Sequence, residues 1–293
     1  MENVAVSGAS RLIGLLGHPV GHSISPQIHN HASSRLDLPF VYIPLAVEPE
    51  NLHTALHALR ALGFAGANVT IPYKQAVLRY CDVLSDLSQI TGTVNTLYFR
   101  DNLLHGTTTD AQGFLKAVES MGVVIEGESV AILGNGGTAR TLAAALLYEK
   151  IPEKIVIIGR KQHRVQALVD DLSRSVETDQ RLYGTTFDAA SLEEQIAECS
   201  LVVNCTPAGM FPHIDSTPLP AALLRGKMAV FDTIYNPVET RLLRSARKRG
   251  CKTQNGLRML LYQALASYRY WTDTTVPESI FSLDELQRLV TGK

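Results

Sequence analysis

The chain has 293 residues, 45% hydrophobic and 19% charged, with a formal net charge of −1. That composition excludes a disordered chain and leaves no electrostatic ground for nucleic acid or an anionic membrane as partner. The four cysteines form no C-x-x-C pair, and no signal segment or apolar run of spanning length is present, so a soluble cytoplasmic protein with a small-molecule partner is expected.

Short apolar runs alternating with segments of helical period predict an α/β fold with mainly parallel strands. In the first third, strands are expected at Leu12–Leu16, Val41–Leu45, Ala67–Ile71 and Thr93–Phe99, and helices at Gln27–Leu36, Glu50–Leu62 and Lys74–Leu87. A helix over Ala111–Met121 leads to a more regular series. Its strands are Val130–Leu133, Lys154–Ile158, Leu182–Phe187, Leu201–Asn204, Met228–Asp232 and Lys252–Gln254, the pattern of a doubly wound nucleotide-binding domain. Helices over Leu257–Trp271 and near Leu283–Val290 have no strand left to cover there, so they are expected to return to the first domain. The expected division is an N-terminal α/β substrate-binding and catalytic domain over 1–110, completed by 256–293, and a Rossmann-type dinucleotide-binding domain over 111–255. A ligand cleft is expected between them. A homodimer is compatible with the sequence.

Gly134-Asn135-Gly136-Gly137-Thr138-Ala139-Arg140 follows an apolar run and opens a helix. Glycines allow the tight turn and the close approach of the backbone to a pyrophosphate, and a small residue at 139 lets helix and strand pack closely. The acid that reads a ribose 2′-OH in NAD-binding versions of the fold is missing after Lys154–Ile158. Arg160, Lys161 and Arg164 stand there instead, which favours NADP. The alternative is that these cations only solvate a helix start, where they would oppose the dipole.

The substrate side is richest in Gly17-His-Pro-Val-Gly-His-Ser-Ile-Ser-Pro-Gln-Ile-His-Asn30. Ser23 and Ser25, two apart in an extended segment, would present both hydroxyls on one face, ahead of a helix started by Pro26. A serine N-cap with a turn is an equally good reading. Asn68-Val-Thr-Ile-Pro-Tyr-Lys74 delivers Thr70 and Lys74 to a strand end, and Val94-Asn95-Thr96 and Gly106-Thr-Thr-Thr-Asp110 lie just after short extended runs. A Lys–Asp pair can hold a hydroxyl and shuttle its proton. The histidines at 18, 22, 29 and 31 lack the spacing and acidic company of a zinc site, so no metal is expected.

These motifs, with Asn204-Cys-Thr-Pro-Ala-Gly-Met210, Tyr235-Asn-Pro-Val-Glu-Thr240 and Asn255-Gly-Leu-Arg-Met-Leu-Leu-Tyr-Gln-Ala264, resemble in the same order those of the shikimate dehydrogenases. The resemblance runs from Gly14 to about Trp271. It implies NADPH-dependent reduction of 3-dehydroshikimate to shikimate, a step toward chorismate and the aromatic amino acids. It implies that Ser23 and Ser25 hold the substrate carboxylate, that Thr70, Asn95, Asp110 and Gln263 hold its ring hydroxyls with Tyr235 nearby, and that Lys74 is the acid/base partnered by Asp110. It places Gly134, Asn135, Gly136, Gly137 and Thr138 on the pyrophosphate, Arg160 on the 2′-phosphate, Thr206 and Thr233 beside the cofactor, and Gly256 against the nicotinamide. Three positions depart from the family pattern: Thr108 replaces an asparagine, Gly159 and Lys161 flank Arg160 where asparagine and threonine are usual, and Asn135 replaces an alanine. Two rivals follow: a relative that also takes quinate, with relaxed or NAD cofactor use, and a dinucleotide-sensing module without turnover.

Overall fold

The computed structural model describes residues 6–149, 151–176 and 181–291. Its chain divides into two compact units, one running to Gly113 and resumed at Leu261–Leu289, the other covering Phe114–Leu260.

The first unit is built on β1 (Arg11–Gly17), α1 (Ser25–Arg35), β2 (Phe40–Ala46), α2 (Leu52–Ala61), β3 (Gly66–Val69), β4 (Val83–Leu84), α3 (Asp86–Thr91), β5 (Thr96–Arg100) and β6 (Leu103–Thr107). Helix α4 (Asp110–Ser120) follows and carries the chain across the boundary. The strand order is β2-β1-β3-β5-β6-β4. The expectation of mainly parallel strands holds, with β5 as the exception. β5 runs antiparallel to β3 and β6, because a two-residue turn at Asp101-Asn102, both with positive φ (51° and 59°), folds β6 back on β5. The consequence is functional. The C-terminal ends of β1, β3 and β6 and the N-terminal end of β5 share one sheet edge, so four separate motifs converge there.

The predicted helix over Lys74–Leu87 is also absent. That stretch holds a 3-10 turn at Leu78–Tyr80, then β4 and α3. Asp82 breaks the helical run by accepting the Leu104 N–H (2.7 Å) and the Arg60 guanidinium, and Ser85 caps α3 through the Ser88 N–H.

Alternation along β1 sends Leu16 toward α2 (Leu52, Leu56, Leu59), while Ile13 and Leu15 pack with α1 and the C-terminal Tyr268 and Trp271. The Trp271 indole donates to the Leu97 carbonyl (2.8 Å) directly over Gly66. A Cβ at position 66 would stand 2.1 Å from that carbonyl oxygen and 2.4 Å from the indole nitrogen. Gly66→Ala is therefore expected to lower unfolding free energy by roughly 2–3 kcal/mol, read as the urea midpoint, by forcing this carbonyl–indole contact apart.

The second unit alternates β7 (Ser129–Leu133), α5 (Gly137–Tyr148), β8 (Lys154–Gly159), α6 (Gln162–Ser175), β9 (Leu182–Thr186), α7 (Leu192–Ala197), β10 (Cys199–Asn204), β11 (Ala229–Asp232), α8 (Arg241–Lys248) and β12 (Lys252–Gln254). Its order is β12-β11-β10-β7-β8-β9, parallel throughout. This is the doubly wound arrangement, with its switch point between β7 and β10. Helices α9 (Leu257–Thr272) and α10 (Leu283–Thr291) close the chain.

Candidate active site

At the convergent edge of the first unit, the Lys74 ammonium donates to one oxygen of Asp110 at 2.5 Å, with both side chains mostly buried. The other Asp110 oxygen accepts from the Asn95 amide at 2.9 Å. That amide also lies 3.0 Å from the Thr109 hydroxyl and 3.2 Å from the Gln263 carbonyl oxygen. Its two hydrogens cannot serve three acceptors at once, so the bonds are shared. The Asn95 oxygen accepts the Thr109 N–H (2.8 Å) and the Thr96 hydroxyl (2.9 Å). A single buried amide thus fixes the rotamer of the acid that holds the lysine.

Beneath this group lies a continuous polar network to which sequence reasoning gave no role. Ser267 on α9 sits within 2.8–2.9 Å of the Thr96 and Thr109 hydroxyls and accepts from the Asn68 amide at 3.1 Å. The Asn68 oxygen accepts the Tyr42 hydroxyl at 2.9 Å. The Asn30 side chain in turn bonds both the N–H (2.8 Å) and the carbonyl (3.0 Å) of Tyr42. His29 stacks on the Tyr42 ring at 4.2 Å, and full burial lowers its pKa to about 3, so it is neutral. The His29-Asn30 end of the motif is thereby structural: it seats Tyr42, which ties α1 to β3.

The two serines are placed differently from the extended reading. Ser25 is the first residue of α1, buried, with Pro26 in the first turn and Ile24, not a serine, at the N-cap. The Ser23 hydroxyl accepts the Ser25 N–H at 3.2 Å, and Ser25 reaches the Tyr42 hydroxyl, whose pKa burial raises and this contact lowers. The turn forms because a short hydroxyl bonds its own backbone two residues on. Thr70 follows β3 directly and accepts the Tyr73 N–H through its carbonyl (2.9 Å). Lys74, Asp110, Asn95, Gln263, Thr70, Ser23 and Ser25 all belong to the first unit, whereas Tyr235 and Gly256 belong to the second.

In the second unit, Gly134 has φ of 109°, and a Cβ there would meet the Cys205 carbonyl oxygen at 3.1 Å. Nothing lies within 4 Å of a Cβ built on Gly136 or Gly137. The loop therefore leaves open space before its N–H groups and the start of α5, and Ala139 is fully buried against the sheet. Arg160, Lys161 and Arg164 are exposed at the end of β8, with Gly159 supplying no side chain. The Asn135 side chain lies 3.4 Å from where a Cβ of Gly159 would stand. A dinucleotide bearing a 2′-phosphate fits these residues: a glycine turn with room before it, a helix start, and cations where an acid would repel it.

The loops after β10 and β11 are fastened by a second group, of which the sequence reading gave a role only to Thr206 and Thr233. Asp232, fully buried, accepts the Thr240 hydroxyl (2.6 Å), the Asn204 amide (2.9 Å) and the Ile234 N–H (3.1 Å). The Asn204 oxygen accepts the Thr206 N–H (2.9 Å) and hydroxyl (2.7 Å), and its backbone carbonyl takes the Thr233 hydroxyl at 2.8 Å. The Gly256 N–H bonds the Ile234 carbonyl at 3.1 Å. The signal was present in the motif Asn204-Cys-Thr, where only Thr206 was given a role, and in the acid ending β11, which read as a strand end.

Residues 15–97 match the family model described as the shikimate dehydrogenase substrate binding domain, and residues 256–281 that of the shikimate 5′-dehydrogenase C-terminal domain. Residues 130–268 match the saccharopine dehydrogenase NADP binding domain. A shikimate dehydrogenase (NADP+) of Methanothermobacter thermautotrophicus is 38% identical over 97% of this chain and 99% of its own. The chain belongs to the shikimate dehydrogenase family. Among solved structures, the shikimate 5-dehydrogenase of Listeria monocytogenes in complex with shikimate and NAD has a TM-score of 0.89 at 32% identity, covering 99% of both chains. The quinate dehydrogenase of Corynebacterium glutamicum in complex with NAD has a TM-score of 0.85 at 31% identity, covering 97% of this chain and 99% of that one. Among the described residues, no group of three or more His, Cys, Asp or Glu is placed to hold a metal, and no helix is long and apolar enough to cross a membrane.

Proposed function

We propose that the chain catalyses the reversible NADPH-dependent reduction of 3-dehydroshikimate to shikimate, with Lys74 as acid/base and Asp110 as its partner. The observation that carries this reading is the 2.5 Å Lys74–Asp110 contact, with Asn95 on the second carboxylate oxygen. The substrate domain comprises residues 1–110 and 256–293 and the cofactor domain 111–255, in a cytoplasmic enzyme for which a homodimer is the assembly to test by light scattering.

The cofactor, held by Gly134–Thr138, Arg160, Lys161, Arg164, Thr206, Thr233 and Gly256, supplies the hydride when bound. Hydride addition puts negative charge on the ketone oxygen. A cationic donor within hydrogen-bond reach stabilises that charge and hands over the proton. Lys74 is that donor. Asp110 orients the ammonium and accepts from a neighbouring ring hydroxyl, while Asn95, Thr70 and Gln263 bind ring hydroxyls, and Tyr235 is a further substrate-binding residue. Ser23, Ser25 and the first turn of α1 take the carboxylate, neutral donors sufficing for an anion at a helix start. In the oxidation direction the same proton returns to Lys74.

The direct test is spectroscopic. NADPH absorbance should fall on adding 3-dehydroshikimate, and no decay with active cofactor would remove the reading. Arg160→Ala is expected to raise KM for NADP roughly ten- to hundredfold, the worth of one to two charge-assisted bonds, and to leave KM for NAD unchanged. A second reading, quinate turnover with NAD, draws on Gly159, which offers no side chain beside Arg160.

A further inference from the structure

We propose that His53 and His57 form a chelating site for a divalent copper or nickel ion on the exposed face of α2, apart from the catalytic group. The two residues are one helical turn apart, and both side chains are exposed. Their Nε2 atoms stand 3.0 Å from each other, with ring planes inclined by 71°. The two Nε2 edges therefore face each other, close enough to share one ion above the helix.

Imidazole ligands with open positions favour Cu2+, where the affinity order of divalent ions peaks, and the spacing agrees. At metal–nitrogen distances of 2.0–2.1 Å, a 3.0 Å separation subtends about 91–97° at the ion. A tetrahedral ion such as Zn2+ requires nitrogens about 3.3–3.4 Å apart at the same bond length. Once the shared proton has moved, a pair at this spacing suits two adjacent positions of a square-planar or tetragonal ion, the preference of Cu2+ and Ni2+ with imidazole ligands.

The helix is held for this purpose by its opposite face. Leu52, Leu56 and Leu59 are buried in the core, and the Tyr80 ring flanks His53 at 5.5 Å. Without metal, one ring donates its Nε2–H to the other. Chelation needs that proton on Nδ1 instead, a change of tautomer that leaves both rings neutral. Among the described residues no third His, Cys, Asp or Glu joins the pair. Water or an external donor fills the other positions, which makes the site exchangeable.

The full chain is titrated with CuCl2, NiCl2 and ZnCl2 in a non-coordinating buffer near neutral pH, by calorimetry and, for copper, by electron paramagnetic resonance. One Cu2+ is expected per chain, with an axial spectrum carrying the hyperfine pattern of two nitrogens and with Ni2+ bound at least as tightly as Zn2+. His53→Ala and His57→Ala should each weaken the copper site at least about tenfold, abolish the two-nitrogen pattern, and keep parental turnover and metal-free Tm. Equal copper affinity in either variant would place the metal elsewhere and overturn the proposal. Zn2+ binding about tenfold more tightly than Ni2+ would overturn the geometric assignment.

Discussion

Lys74→Ala is expected to lower kcat by about 10²–10⁴-fold, the range a positioned general acid contributes, with KM for shikimate changed less than about threefold. The reasoning is geometric. Lys74 is the cation bonded to Asp110, whose second oxygen is held by buried Asn95. The ammonium is most useful once negative charge has developed on the substrate oxygen, so its loss falls on kcat more than on binding. Lys74→Arg is the sharper control. It keeps the charge, yet guanidinium does not release a proton in the working range, so shikimate oxidation should stay within about tenfold of the alanine variant. Steady-state rates in both directions read the outcome. Turnover by Lys74→Ala within tenfold of the parent would transfer the proton to another group.

The second large effect concerns stability and pH. Burial raises the Asp232 carboxyl to about 6, against the Thr240 hydroxyl, the Ile234 N–H and the Asn204 amide, which pull it down. The unfolded chain loses that proton near 3.9, so between about 4 and 6 the native state binds more protons than the unfolded state. Stability from this residue is therefore greatest below about pH 4 and is lost as pH rises through about 6, by on the order of 3 kcal/mol in total. Asp232→Asn should remove that slope. It keeps one oxygen for the Asn204 amide and the Ile234 N–H, and the Thr240 hydroxyl can turn to accept. Asp232→Ala instead strands all three donors, at roughly 2–4 kcal/mol above pH 6 even after relief of the buried charge. Urea unfolding from about pH 4 to 8 separates the three proteins. An unchanged difference between parent and asparagine variant across that range would show that Asp232 does not titrate there. Because Asp232 also holds Asn204, and through it Thr206 and Thr233, the alanine variant should raise KM for NADP as well.

The parts legible in the sequence were those written locally. Strand, glycine turn and helix around Gly134 lie within about twenty residues, and the open loop follows from them. The Lys74–Asp110 pair spans 36 residues of sequence, and what brings it together is the reversal at Asp101-Asn102, a two-residue turn signal that a search for parallel strands passes over. The helix expected over Lys74–Leu87 failed because an apolar run of the right period was interrupted by Asp82, whose partner Leu104 lies on another strand. Asn68, Asn204, Ser267 and Asp232 were missed for a related reason. Each is a buried polar residue whose meaning resides in distant partners, and each looks in sequence like a strand end or a small helical residue. Tyr42 illustrates the limit best: nothing in Phe40–Ala46 foretells that Asn30 clasps its backbone and His29 its ring.

Cofactor choice rests on fewer atoms than the chemistry does. Arg160 stands exposed beside a glycine, and the amide of Asn135 leans over that same glycine. Two positions that depart separately from the family pattern are thus neighbours in space. The carboxamide lies 3.4 Å from where the first side-chain atom of a residue at 159 would stand.

The central claim is tested most directly by initial rates for four pairs, shikimate or quinate with NADP or NAD. Shikimate with NADP should give the highest kcat/KM, by at least about tenfold over either NAD pair, since the end of β8 bears cations and no acid. Quinate with NAD as the best pair would contradict the account.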